Sequence, residues 1–175
     1  MKKINLIAIF FFMIYSTQCY SASMNSGLKN GRDKYYMQIA MQLAKHNPKA
    51  PFAALIVDNE TGKIIAEGLN ASKINPTYHG EMVAINNCAR KYPNINWSKV
   101  TLYTTAEPCS MCQSAIAWAG ISRMVFATSI EYLKTHGWNQ IDISAAEVNR
   151  KAGFYKGTIS GGVLAEKTDA LFDRK

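Results

Sequence analysis

Residues 100–112 of the chain spell VTLYTTAEPCSMC, and this stretch decides the fold. Its first part, Val100 to Thr105, is a run of apolar and β-branched residues of strand length. The next segment, Cys112 to Ala119, is apolar and has the length of a short helix. A buried strand that passes directly into a helix is typical of layered α/β domains. Cys109 therefore lies where the strand gives way to the helix.

The rest of the chain alternates strands and helices around this junction. Helices are predicted over Asp33 to His46 and Glu81 to Lys91, with two or three more in the C-terminal third. Strands are predicted over Phe52 to Val57, Lys63 to Leu69 and Met124 to Ala127, and a less regular strand is predicted over Gly157 to Ser160. The turn residues DNETG at 58–62 predict a hairpin between the first two strands. We therefore predict an α/β domain with helices on both faces of one sheet.

Composition narrows the class of protein. The chain has 175 residues, of which 48% are hydrophobic and 18% charged. These values exclude a disordered tail, a collagen-like fibre and a coiled coil. The net charge is +8, but its lysines and arginines are scattered. A solvated basic surface is therefore a better interpretation than a nucleic-acid interface, although a nucleic-acid partner stays open.

The N-terminus has the layout of a secretory signal peptide. Lys2 and Lys3 form a basic start, Ile4 to Tyr15 is almost entirely apolar, and small or polar residues follow over Ser16 to Ser23. We predict a signal peptide over residues 1–22, with export to the periplasm or the medium and no stable membrane span after cleavage. The alternatives are an uncleaved anchor and a first strand of the core.

Metal-binding residue types stand at two predicted helix starts. Cys109 and Cys112 are three residues apart, so their sulfurs share one face of the first helical turn. His79 and Glu81 stand where an earlier loop gives way to a helix. The chain between Glu81 and Cys109 has room for one helix and one strand, which returns it to the same edge of the sheet. The two helix starts are therefore predicted to meet.

The chemistry of these residues predicts an open zinc site. Two thiolates and the imidazole of His79 supply three ligands, which leaves a fourth tetrahedral position for water. Zinc lowers the pKa of such a water to about 7. Glu81 is predicted to face this water as a proton carrier. The alternative is a non-catalytic protein in which Cys109 and Cys112 form a periplasmic redox pair or part of a structural zinc site.

A His-x-Glu followed by Pro-Cys-x-x-Cys is the pattern of zinc-dependent deaminases. From about Tyr35 to Phe172 the chain resembles the cytidine deaminase-like superfamily, in particular the branch of bacterial tRNA adenosine deaminases and guanine deaminases. The resemblance rests on EGLN at 67–70, NPTYH at 75–79, TLYTTAEPC at 101–109 and residues 162–172. It implies a three-layer α/β/α domain, here residues 23–175, around a mostly five-stranded mixed sheet, often as a homodimer.

The resemblance also implies an activity and roles for single residues. A zinc-activated water attacks the amino-bearing carbon of a base. Glu81 moves one proton of this water to the ring nitrogen and then a second proton to the leaving amine, which departs as ammonia. Asn70 corresponds to the residue that binds the base. The expected substrate is a guanine-type purine first and cytosine or cytidine next. The alternative is an adenosine in RNA, as in tRNA-type adenosine deaminases.

Two features depart from the family pattern or stand outside it. Gly80 stands where the family usually has alanine between the histidine and the glutamate. Residues 129–144 do not match the pocket loop of either branch. Within them, Trp138 is predicted to stack on a base, to pack in the core or to form a dimer contact. Cys88 shares a helical face with apolar residues and is predicted to be a buried, inert thiol.

Overall fold

A computed structural model describes residues 27–173 of the chain. The predicted signal peptide, residues 1–22, lies outside the described residues. The described residues divide into two units between Lys34 and Tyr35. Residues 27–34 of the first unit are helical. Within the described part of the chain, no helix is both long and apolar enough to cross a bilayer.

The second unit contains a five-stranded sheet and its helices. Helix α1 covers residues 35–44 of this unit, followed by β1 (Ala53–Asp58), β2 (Ile64–Leu69), α2 (Gly80–Lys91), β3 (Val100–Ala106), α3 (Ser110–Ala119), β4 (Arg123–Thr128), α4 (Ile130–Thr135), α5 (Ala145–Lys151), β5 (Thr158–Ser160) and α6 (Ala165–Phe172). The strand order is β2-β1-β3-β4-β5. β1 is antiparallel to β2 and β3, whereas β3, β4 and β5 are parallel to one another.

Strand β3 lies at the centre of the sheet, and all seven of its residues are buried. Successive side chains point to opposite faces of a strand, so β3 contributes to two separate cores. Leu102 packs with residues of α2 and α3 on one face. Tyr103 packs with residues of α1 on the other face. The predicted three-layer α/β/α architecture with a five-stranded mixed sheet is confirmed.

The predicted elements agree with the structure except at their ends. Helix α3 begins at Ser110 rather than at Cys112, because Cys109 serves as its N-cap. Strand β3 extends one residue further, to Ala106, since its neighbour β4 continues beside it to Thr128. The C-terminal third contains three helices, at the upper end of the predicted number.

A close contact between two glycines brings β2 against the start of α2. A β-carbon on Gly68 would lie 2.1 Å from the carbonyl oxygen of Gly80 and 2.3 Å from the backbone nitrogen of Ala84. A β-carbon on Gly80 would in turn lie 2.7 Å from the carbonyl oxygen of Phe52. Both obstacles are backbone atoms, so the absence of side chains permits this approach, which positions the first turn of α2.

We expect Gly68→Ala to lower the free energy of unfolding by about 3 kcal/mol, because overpacking against backbone forces strand and helix apart. Urea unfolding of the full chain measures the change. Gly153→Ala is the matched control, since a β-carbon on Gly153 meets nothing within 4 Å. Equal stability of the two variants would contradict the close contact.

Candidate active site

Two helix starts meet at one end of the sheet and bring three sulfur and nitrogen atoms together. His79 is the N-cap of α2, and Cys109 is the N-cap of α3. Both have extended backbone, and neither side chain forms the usual capping hydrogen bond. Their side chains are therefore free to turn away from the helix ends. Cys112 lies in the first turn of α3 and is fully buried.

The three side chains form a compact triangle. His79 Nδ1 lies 3.6 Å from each of the two sulfurs, and the sulfurs of Cys109 and Cys112 are 3.7 Å apart. All three atoms lie within 4.8 Å of one another. They form the one such group of potential metal ligands that residues 27–173 contain.

The three groups influence one another's protonation. The pKa of Cys109 is lowered to about 4, first because the Cys112 thiol donates a hydrogen bond to it and also because His79 donates one. The pKa of Cys112 is raised because it keeps the proton that it shares with Cys109. The pKa of His79 is raised by its hydrogen bond to Cys109. The lowered pKa favours the thiolate form of Cys109, which is the form that binds a metal ion.

This donor set fits zinc. Structural zinc sites usually have four protein ligands, whereas catalytic sites have three and keep one position for water or substrate. Two cysteines and one histidine are a known catalytic set. Cys109 and His79 border a cavity, while Cys112 is buried behind them. His79, Cys109 and Cys112 would therefore hold the zinc ion predicted from the sequence, beside the cavity that His79 and Cys109 line.

Glu81 lies beside the triangle, in the first turn of α2, and is 4% exposed. Its Oε1 accepts a hydrogen bond of 2.8 Å from the Thr104 hydroxyl on the central strand. Burial is the main cause that raises the pKa of Glu81, and the charge of Cys109 adds to it. A carboxyl group with a raised pKa holds its proton more firmly, which suits proton transfer near neutral pH.

A cavity of about 200 Å³ opens over these residues. Its lining includes four residues singled out from the sequence, namely His79, Glu81, Cys109 and Asn70. Phe52, Glu107, Trp138, Asn139 and Gln140 also line it. The lining of the cavity therefore combines aromatic rings with polar amide and carboxylate groups.

Asn70 follows strand β2 and presents its side chain at the cavity. Its Oδ1 accepts hydrogen bonds from the backbone nitrogen and hydroxyl of Ser72, at 3.1 and 2.9 Å. With the oxygen engaged in this turn, the amide nitrogen Nδ2 is the group that Asn70 can offer to a ligand. Asn70 is thus a hydrogen-bond donor at the cavity.

Trp138 belongs to residues 130–145, which we call the wall segment because it lies over one side of the cavity. The indole Nε1 donates a 2.7 Å hydrogen bond to the Phe172 carbonyl oxygen. The indole also packs edge-on against Phe52, with ring centroids 5.0 Å apart. Trp138 therefore packs against its neighbours, whereas its stacking on a base stays a prediction, to which its place in the cavity lining is relevant.

The sequence analysis missed two groups at the site. Phe52 was assigned to a strand, although it lies just before β1 and borders the cavity. The motif that contains Glu107 predicts no separate role for this residue, although Glu107 also borders the cavity. An acidic residue directly before the Pro-Cys pair was the available signal.

Cys88 is buried and burial raises its pKa, in agreement with an inert thiol.

Residues 30–128 match the family model of the cytidine and deoxycytidylate deaminase zinc-binding region. The chain belongs to this deaminase family. The resemblance found in the sequence is therefore confirmed, and the chain is an enzyme, a zinc-dependent hydrolytic deaminase of C–N bonds. The interpretation of Cys109 and Cys112 as a redox pair in a non-catalytic protein is not supported.

Individual relatives of this deaminase differ in substrate. A tRNA-specific adenosine deaminase of Rickettsia bellii (strain RML369-C) is 34% identical over 132 residues, which cover 74% of this chain and 88% of the relative. The solved guanine deaminase of Bacillus subtilis is 32% identical, with a TM-score of 0.55 over 61% of this chain and 70% of that one. A guanine deaminase structure from Nitrosomonas europaea shares the fold, with a TM-score of 0.68, 24% identity and coverage of 79% and 81%.

Proposed function

We propose that the deaminase acts on a free nucleobase or nucleoside, with a guanine-type purine as the first substrate and cytosine or cytidine as the next. The observation that carries this proposal is the small cavity beside the metal ligands, about 200 Å³ in volume. Pockets for drug-sized ligands occupy about 300–1,000 Å³. A cavity below that range suits a single planar ring system. The 32% identity to a guanine deaminase supports placing guanine first.

The residues around the cavity have separate tasks in this proposal. His79, Cys109 and Cys112 hold zinc, which supplies an activated water when bound. Glu81 takes one proton from the attacking water and delivers it to a ring nitrogen. It then takes the second proton from the hydroxyl group newly bound to the ring carbon and gives it to the amino group, so that ammonia departs and a carbonyl remains. Thr104 holds Glu81 in position through its hydrogen bond to Oε1. The backbone amide of Cys109, at the start of α3, would stabilise developing negative charge on oxygen.

The cavity walls would hold the base. Phe52 and Trp138 offer aromatic surface, on which any base can stack. Asn70 offers an amide donor to a ring nitrogen or carbonyl oxygen. Asn139 and Gln140 carry amides that can both donate and accept. The combination of stacking surface and amides favours a flat, polar heterocycle.

Ammonia release from guanine, cytosine, adenine and their nucleosides tests the proposal. The full chain is loaded with zinc, and the metal content is measured on the same sample. Release from guanine above the other bases is the expected result. No release from any small substrate by zinc-loaded protein would contradict the proposal.

A second candidate is an adenosine in an RNA loop. It is favoured by the 34% identity to a tRNA-specific adenosine deaminase. An enzyme of this kind draws its base out of the stack into the pocket and contacts phosphates with basic residues. Inosine formation in tRNA, with RNA binding that weakens as salt rises, would support it. RNA binding that is absent or independent of salt would exclude it.

We expect Asn70→Ala to raise KM for the base about tenfold and to change kcat less, because it removes a donor to the bound ring without touching the metal or Glu81. Steady-state kinetics on guanine measure both constants. Asn75→Ala is the matched control, because Asn75 Oδ1 accepts from the backbone nitrogen and hydroxyl of Thr77 in the same kind of turn but Asn75 does not line the cavity. An unchanged KM in Asn70→Ala would remove Asn70 from the binding site.

Two further expectations join this proposal. A homodimer is supported by large apolar side chains on the surface, including Ile74 and Trp118, which are 82% and 77% exposed. Light scattering measures the mass of the particle in solution.

Export is supported by the basic start and apolar stretch before residue 23. N-terminal sequencing of the protein from its native cell is expected to find a start near residue 23, and an intact Met1 would contradict cleavage.

A further inference from the structure

Glu107 stands directly before Pro108 and the zinc ligand Cys109 and lines the same cavity. Its two carboxylate oxygens bind the two ends of the wall segment. Oε2 accepts a 3.0 Å hydrogen bond from the backbone nitrogen of Ile130, the first residue of α4. Oε1 accepts a 2.9 Å bond from the backbone nitrogen of Ala145, the first residue of α5. One side chain thus binds both ends of residues 130–145.

The two helix starts have matching arrangements. At each, a serine N-cap satisfies the third backbone amide, with Ser129 accepting from Tyr132 and Ser144 accepting from Glu147. The first amide of each helix is left to Glu107. Ile130 and Ala145 are 4% and 1% exposed, so water does not replace the carboxylate. Both helix starts therefore depend on Glu107 for one hydrogen bond.

The backbone of Glu107 fixes where this connection is made. Its N–H donates a 2.7 Å hydrogen bond to the carbonyl oxygen of Thr128, at the end of β4. The residue therefore belongs to the end of the sheet that presents the zinc ligands. Between its two attachment points, the wall segment places Trp138, Asn139 and Gln140 on the cavity.

We propose that Glu107 is a positioning residue that selects the substrate by holding the wall segment at a fixed distance from the metal ligands. The selection of a base rests on the proposed function, whereas the holding of the wall does not. Glu107 has both oxygens engaged with backbone amides, so it takes no part in proton transfer. Its effect on the reaction passes through Trp138, Asn139 and Gln140.

Glu107→Gln is the test, because it keeps the size of the side chain and replaces one acceptor oxygen with an NH₂ donor. Amide hydrogen exchange of the zinc-loaded full chain is followed by mass spectrometry. Peptides within 130–145 are expected to exchange about tenfold faster, the change that one lost buried hydrogen bond produces. Peptides of α2 and the zinc content are expected to stay unchanged. Unchanged exchange over 130–145 would overturn the proposal.

Binding of guanine and cytosine measures selection without turnover. Equilibrium dialysis compares Glu81→Ala with Glu81→Ala/Glu107→Gln, both zinc-loaded. The Kd for guanine is expected to rise about tenfold, with a change in the ratio of the guanine and cytosine Kd values. Faster exchange with an unchanged ratio would overturn the role in selection. If neither base binds Glu81→Ala, the proposed function fails, whereas the exchange experiment still decides whether Glu107 holds the wall.

Ser144→Ala is the matched control. It removes the other cap at the start of α5, where Ser144 accepts from Glu147, and leaves Glu107 in contact with Ala145. It is expected to loosen α5 locally and to leave the Kd ratio unchanged. A shift in the ratio as large as that of Glu107→Gln would show that any loss of stability at α5 alters selection, and would overturn a specific role for Glu107.

Discussion

Glu81→Ala is expected to keep its zinc and to lose turnover by about 10²–10⁴-fold, the range that a general acid and base contributes. The variant removes the proton carrier and leaves His79, Cys109 and Cys112 in place. Metal analysis and ammonia release on the same sample separate the two effects. Burial raises the pKa of the Glu81 carboxyl, so deleting it also removes a buried acid that is costly to ionise.

Glu67→Ala is the control for this variant. Glu67 lies on β2 and is exposed, so its removal changes the net charge equally without reaching the cavity. We expect wild-type turnover from it. Turnover retained in Glu81→Ala would overturn the role of this residue as proton carrier, even with the metal site intact.

Cys112→Ser is expected to lose both zinc and turnover, the latter by about 10³-fold or more. A neutral hydroxyl is a much weaker zinc ligand than a thiolate, and the activated water depends on the ion. Zinc per chain is measured after gel filtration. The Tm is measured with and without added zinc, because an ion that binds only the folded state raises it.

Cys88→Ala is the matched control, since Cys88 is also a fully buried free cysteine but lies in α2 away from the ligand triangle. It is expected to lower the Tm slightly through a small cavity and to keep both zinc and turnover. Full zinc binding by Cys112→Ser would contradict the assignment of Cys112 as a ligand.

Local patterns in the sequence were sufficient to predict the sheet and the metal ligands. The apolar run of β3 and the Pro-Cys-x-x-Cys after it are contiguous, so strand, junction and helix could be inferred together. The placement of His79 opposite Cys109 followed from chain length and topology. These features depend on backbone hydrogen bonding and on residue types with few alternative uses.

The cavity wall could not be predicted in the same way, because its contacts join residues far apart in sequence. Glu107 reaches Ile130 and Ala145, and Trp138 reaches the carbonyl oxygen of Phe172. Such contacts follow from tertiary packing and leave no periodic pattern. A glutamate before a proline has many possible structural roles, and only the folded chain shows which two amides it accepts from.

The 3.7 Å separation of the Cys109 and Cys112 sulfurs has a consequence for the maturation of the enzyme. In the metal-free protein, the low pKa of Cys109 supplies a thiolate at neutral pH, with a second sulfur within reach. An oxidant can join such a pair, since the thiolate is the reactive form. A bound ion occupies both sulfurs and shields them. Zinc binding and disulfide formation would therefore compete for the same two sulfurs, and we expect zinc that binds before an oxidant arrives to protect the site.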